Sequence, residues 1–408
     1  MVTIVRIPKK LTTFFRGVER NFSQPAYRHF WGLVLAIAIS SEHTLLRLCR
    51  LLRWHPHRTR QGTFLWQSEW NESTVLQELA LDTLKRLHRP GARLYFILDD
   101  TQVLKRAKRM EAVGRLRHHA SGKFGDGHTI LKVCLWYRGV IIPWGSWLYV
   151  KKEHAPKLKI PFVKLTELAG SAIRQANLPN GMNITVLFDA YYLCRPVIQA
   201  VNDRKWHYIG ASRLNRWFHI RGHSRQFKTY ARNVLRRSGK AANVRGLKST
   251  RRYRIARRIG TLNKVGEVNV VFSHRPAEVR DLIVLVTNDL SRSARNVLAD
   301  YLHRWAIELL IKEEKQHLGL GAYRVKRYRA VVRHLHLVDS AYACLTHLGI
   351  NSQGAQGNTK SKGLLQLPPV SKLKGVLQQM IWREAVKDVV KGRHDKVVIK
   401  RIEALMAA

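Results

Sequence analysis

Two short apolar runs, each ending in a carboxylate, constrain this chain more than any other feature. LYFIL, residues 94–98, runs into Asp99 and Asp100, and ITVLF, residues 184–188, runs into Asp189. Pro90 and Gly91 break the preceding helical pattern. A short uninterrupted apolar run of this kind reads as a strand buried on both faces. Residues 129–150 predict two further strands about a turn at Arg138 and Gly139. A helix over 162–178, a short helix over 195–204 and a strand over 206–213 complete the pattern. Three strands, helix, strand, helix, strand is an α/β order. In such sheets, sites gather beyond the carboxyl ends of the strands, where these aspartates fall.

Charge narrows the partner. The chain has 408 residues with 73 Lys and Arg against 27 Asp and Glu, a net charge of +46. A compact body with that excess repels itself unless it meets a polyanion, and nucleic acid is the expected one. From Arg204 to Gly266 there is no acid at all. Arg251, Arg252, Arg254, Arg257 and Arg258 are the densest group there, and Trp217, Phe218, Phe227, Tyr230 and Tyr253 are interleaved through the stretch. Basic groups neutralise phosphates and rings stack on bases, so this stretch is expected to contact DNA. Two strands are expected over 267–275 and 281–289.

Residues 301–316, YLHRWAIELLIKEEKQ, predict a helix. On an ideal helix Tyr301, Arg304, Glu308 and Lys315 fall within about 60° of one another, while Trp305, Ile307, Leu309, Leu310 and Ile311 cover the rest. Such a helix is largely buried, with its polar stripe facing a cleft. The plainer alternative is a solvated stripe braced by an Arg304–Glu308 pair. Trp305 reads as a core anchor, Asp203, Asp300 and Glu314 as surface or capping residues, and Glu313 as solvent-facing. The candidate carboxylates are then Asp100 (or Asp99), Asp189 and Glu308. The four cysteines and the histidines show no metal-ligand spacing. Oxygen donors alone suit a hard cation, Mg2+ or Mn2+. Two such ions about 4 Å apart can stabilise both attacking and leaving oxygens of a phosphoryl displacement. A basic protein carrying such a site points to a nuclease or a strand-transfer enzyme.

These residues carry a family resemblance. Asp100-Thr101 after FIL, Asp189 after VLF, and the Tyr-x2-Arg-x3-Glu-x6-Lys stretch resemble the DDE transposases of bacterial insertion sequences, in their YREK-signature branch. The resemblance covers roughly residues 90–340. It implies an α/β fold: an RNase H-like mixed-sheet core with a mostly β insertion, flanked by helical N- and C-terminal regions. It assigns Asp100, Asp189 and Glu308 to catalysis and to metal binding, with two Mg2+ or Mn2+ ions. Asp100 is favoured over Asp99 because the family pattern puts the ligand directly before Thr. Tyr301, Arg304 and Lys315 are expected on the phosphates flanking the cleaved bond. Trp217 is a candidate for stacking on a flipped base.

The expected organisation is a helical DNA-binding region over 1–90, a catalytic core over 91–340 interrupted by a basic β-containing insertion at about 213–290, and a helical region over 341–408 that could support dimerisation. Asn71 or Ser73 is the expected cap of the last N-terminal helix. Expected partners are double-stranded DNA, as terminal inverted repeats and target, and a second copy in a paired-end complex. The N-terminus lacks a signal-peptide pattern and the longest apolar run is about half a membrane span. A cytoplasmic, nucleoid-associated protein with unpaired thiols is expected. The alternatives are a metal-dependent nuclease without strand transfer, and a non-catalytic DNA-binding protein derived from a transposase. A tyrosine recombinase does not fit, since Tyr301 lies within the acid motif.

Overall fold

The computed structural model describes residues 3–391 apart from 55, 107–108, 119–121, 248, 276–281 and 355–362. The N-terminal segment is helical: α1 (Thr12–Arg16), α2 (Gln24–Ile39), α3 (Leu45–Arg50), α4 (Arg58–Trp66) and α5 (Glu72–Leu87). Asn71 caps α5, its side chain accepting from the Thr74 amide. Helix α2 is buried along its length from Phe30 to Ile39. A helix apolar on every side belongs inside a core.

The central part alternates between strands and helices. It comprises β1 (Arg93–Leu104), β2 (Gly114–Arg117), β3 (Phe124–Tyr137), β4 (Val140–Tyr149), α6 (Leu165–Arg174), β5 (Asn183–Phe188), α7 (Arg195–Asp203) and β6 (His207–Ala211). The insertion adds β7 (Trp217–Ile220), β8 (His223–Gln226), α8 (Phe227–Ser238), β9 (Lys240–Arg245), β10 (Thr250–Leu262), β11 (Gly266–His274) and β12 (Ile283–Thr287). The chain then forms α9 (Ala294–Tyr301), a 3-10 turn over Leu302–Arg304, α10 (Trp305–His317), α11 (Tyr328–Gly354) and α12 (Val370–Lys391).

The spatial order β4-β3-β1-β5-β6 has β1 antiparallel to β3 and parallel to β5. This is the RNase H-like mixed sheet expected from the sequence. β12 then pairs antiparallel with β6, and β11, β10, β7 and β8 continue outward, so the insertion extends the same sheet. The β3–β4 turn requires its glycine. Gly139 has φ +91°, and a Cβ there would lie 2.3 Å from the carbonyl oxygen of Leu365. The segment expected as a basic loop between β1 and β3 contains the short strand β2, which pairs with the start of β3.

Both faces of the sheet are covered, which is why β1 reads as a continuous apolar run. One core joins Tyr95, Ile97, Cys134 and Leu187 of the sheet to α2, α10 and α11. The other joins Leu94, Phe96, Leu98, Val186 and Phe188 to α6, α7 and α8. Cys49, Cys134, Cys194 and Cys344 are all free thiols, as expected. None of the described helices is long and apolar enough to cross a membrane. The polar loop expected at 351–363 and the tail of the expected C-terminal region lie largely outside the described residues.

Candidate active site and nucleic-acid interface

Strand parity and register bring the acids together. In the parallel β1–β5 pair, Leu94 lies beside Ile184 and Ile97 beside Leu187. Carried on by two residues, this register sets Asp99 level with Asp189. Positions two apart share a face, so both aspartates follow Ile97 and Leu187 toward α10. Asp100 points the other way. It pairs across β3 with Leu131, which belongs to the opposite core, and accepts a 2.9 Å hydrogen bond from the Tyr192 hydroxyl. Of the two aspartates that the sequence offers, Asp99 is the one on the α10 face. The family pattern read the pair by its position before Thr101, while alternation along the strand decides which member faces the helix.

Arg304 links the strand to the helix. Its Nη1 donates to Asp99 Oδ2 at 2.9 Å, and its Nη2 donates to Glu308 Oε1. The guanidinium is mostly buried, and planar two-sided donation of this kind is what Arg provides over Lys. Burial pushes the Asp99 carboxyl up to about 7. Arg304 opposes that rise, and the charges of Asp189 and Asp100 add to it. Tyr301 stands beside Arg304, with the guanidinium carbon 6.0 Å from its ring centroid. Burial and then the nearby acids raise its hydroxyl to about 12, so it is neutral near pH 7. Lys315 donates to the Gln102 carbonyl at 3.2 Å, alongside β1 beyond the aspartates.

The motif does not lie on one continuous helix. Tyr301 ends α9, Arg304 closes the 3-10 turn, and Glu308 and Lys315 lie on α10. Trp305, the first residue of α10, is 49% exposed where a core anchor was expected. Trp305 lines a cavity of about 320 Å³ with Leu302, Arg251 and Tyr253, between α10 and the β9–β10 hairpin.

Two acids read as surface or capping residues are interior. Asp300 accepts from the Tyr95 hydroxyl and pairs with Arg292. Glu314 is fully buried, with Lys132 Nζ 2.7 Å from its carboxylate, and Lys132 also pairs with buried Asp339. Lys132 sits directly across the sheet from Asp99. Sequence reading missed this lysine; its one signal is a charged residue inside the apolar run of β3. Glu313 is partly buried and Asp203 is exposed.

The arginines of the insertion divide by role. Arg251 and Arg252 are exposed. Arg254 donates to the Leu235 and Arg236 carbonyls at the end of α8. Arg257 donates to Asn269 and to the Leu290 carbonyl, and Arg258 to the Ser238 hydroxyl. These last three brace the fold at least as much as they offer charge. Trp217, 55% exposed on β7 beside the edge strand β8, is not a core residue.

Among the described residues, no three His, Cys, Asp or Glu side chains form a ready-made metal cage. The donors nevertheless fit a hard divalent cation. Asp99, Asp189 and Glu308 offer only oxygen, and the charges of Asp189 and Asp100 already disfavour ionisation of Asp99. A cation would relieve that repulsion.

No curated protein matches the chain. The family model described as DDE superfamily endonuclease matches residues 31–259. The match takes in Asp99, Asp100, Asp189 and most of the sheet, and it stops before Glu308. Because it spans more than half of the sequence and the strands that carry both strand-end aspartates, the chain belongs to the DDE superfamily of endonucleases.

Proposed function

We propose that the protein is a transposase of the YREK-signature branch, encoded by a bacterial insertion sequence, which cuts DNA at the element's ends and joins them to target DNA. The observation that carries this reading is Arg304 bridging Asp99 and Glu308 beside Asp189, at the carboxyl end of the sheet. Asp99, Asp189 and Glu308 are the proposed metal ligands, with Asp99 taking the role the sequence suggested for Asp100. Bound Mg2+ or Mn2+, two ions in this reading, would supply charge stabilisation and activation of the attacking oxygen. Arg304 balances the acids and holds the Asp99 and Glu308 carboxylates in a fixed relation. Tyr301, as a neutral phenol, and Lys315, as a cation, are placed to hold phosphates next to the cut bond. Arg251, Arg252 and Trp217 offer exposed charge and ring surface for the duplex. A paired-end dimer, with contacts from the region beyond 340, belongs to the same proposal, as does action on the chromosome.

The test uses the full chain, Mg2+ and a labelled duplex carrying the element's end, with Glu308→Gln alongside. The expected result is metal-dependent cleavage and joining by the native protein, lost in Glu308→Gln while end binding persists. Cleavage without joining would leave a nuclease. Native cleavage rates in Glu308→Gln would refute the carboxylate site.

A further inference from the structure

Beyond the acids, β1 runs on to Leu104 and the chain turns at Lys105. There it meets the link between α10 and α11, and the two walls enclose a pocket of about 630 Å³. Lys105, Arg106, Arg109, Arg324 and Lys326 all line it, and among the described residues no acid does. The nearby Glu111 does not line it, and its carboxylate accepts from the Tyr328 amide.

Lys105 is built into the wall. Its ammonium donates to the Gly321 carbonyl at 2.6 Å and the Tyr323 carbonyl at 2.9 Å, and lies 3.3 Å from the Tyr323 ring centroid. The link is shaped to allow this. Gly321 has φ +95°, and a Cβ there would sit 2.6 Å from Val103 Cγ1. Burial, then the charge of Arg324, lowers the Lys105 ammonium to about 8. Five cations converging without a counter-charge repel one another until an anion enters. The pocket lies farther along the same strand as the candidate active site: Lys315 donates to Gln102, and Lys105 follows three positions on, about 10 Å of extended chain.

We propose that this pocket is a second phosphate-binding station, holding backbone phosphates of the DNA duplex that leads away from the bond to be cut, on the Lys315 side. Four of its groups are long exposed cations around one buried ammonium, an arrangement that tracks a polyanion without reading bases. The proposal rests on DNA being the substrate, but not on which acids bind metal.

The experiment measures affinity of the full chain for a labelled duplex across a salt series, without metal. Arg106→Glu/Arg324→Glu is compared with Lys152→Glu/Lys157→Glu, exposed lysines that do not line the pocket. The salt dependence of log K is expected to flatten by about 0.9 for each phosphate that is no longer neutralised, so by roughly 2 in the pocket variant. The control should flatten less. Equal slopes in native, pocket and control proteins overturn the proposal. Arg109→Glu/Lys326→Glu is the second variant, used in its place if thermal melting shows the first to be misfolded. A further arm uses inorganic phosphate. Thermal stabilisation by phosphate that the pocket variant loses, with duplex binding unchanged, would make this a small-anion site and also overturn the proposal. Cleavage surviving in Glu308→Gln would sink the catalytic reading and leave this binding result standing.

Discussion

At the scale of single residues, the assignment turns on two neighbouring aspartates that differ by one step along a strand. Asp99 faces Arg304 and the register position of Asp189, while Asp100 faces Tyr192. Asp99→Asn removes a negative charge from the proposed ligand set and should lower metal-dependent cleavage about 100-fold or more, the scale of losing one electrostatic stabiliser. Asp100→Asn keeps an oxygen that can accept from Tyr192 and should cost much less. Single-turnover cleavage by the two variants decides the matter. The reverse ranking would return the ligand role to Asp100.

At the scale of elements, α10 is seated by charges that never see solvent. Lys132, Glu314 and Asp339 are fully buried beneath it, and Ser146 also donates to Asp339. Burial raises the Glu314 carboxyl well above its usual range. Burial acts the same way on Asp339, but the charges of Lys132 and His336 and the hydrogen bonds with Glu314 and Lys132 together outweigh it and keep that carboxylate low. The group is then one ammonium, one carboxylate and one neutral acid, with no net charge. Lys132→Met strands a buried carboxylate and should cost about 3–5 kcal/mol. Glu314→Gln preserves neutrality and shape and should cost about 1 kcal/mol or less. Urea denaturation of the two variants checks this, and equal losses would mean that Glu314 is ionised. The same seat fixes Glu308 two turns earlier, so Lys132→Met is also expected to slow cleavage.

At the scale of the whole molecule, burial makes the fold sensitive to acid. His43, His128 and His347 are lowered to about 4, and His334 to about 3, chiefly by burial. Nearby cations add to this, Lys374 at His43 and Lys105 at His128 and His334. In the unfolded chain each imidazole titrates near its ordinary value of about 6.5. Below that pH the unfolded chain takes up protons that the folded one refuses, so stability falls as pH drops toward about 4. Melting temperatures at pH 7, 6 and 5 in one buffer series should decline steadily. A flat profile would mean that the imidazoles take up protons in the fold as they do in the unfolded chain. The excess of 73 basic over 27 acidic residues acts in the same sense, since protonating acids raises a charge that is already repulsive.

The sequence by itself determined the α/β order, the two strands ending in acids, the turn at Arg138 and Gly139, the Asn71 cap and the basic character of the insertion. These follow from local periodicity, turn chemistry and charge, which a chain carries whatever it packs against. Only the tertiary structure decided that Asp99 rather than Asp100 faces α10. Alternation tells which residues share a face, but the β1–β5 register and the helix above it determine which face meets Glu308. Asp300, Glu314 and Trp305 were misread for the same reason. The partners that bury the two acids, Tyr95, Lys132 and Asp339, are distant in sequence, and Trp305 faces a cavity beside the β9–β10 hairpin, a neighbour that helix periodicity does not reveal.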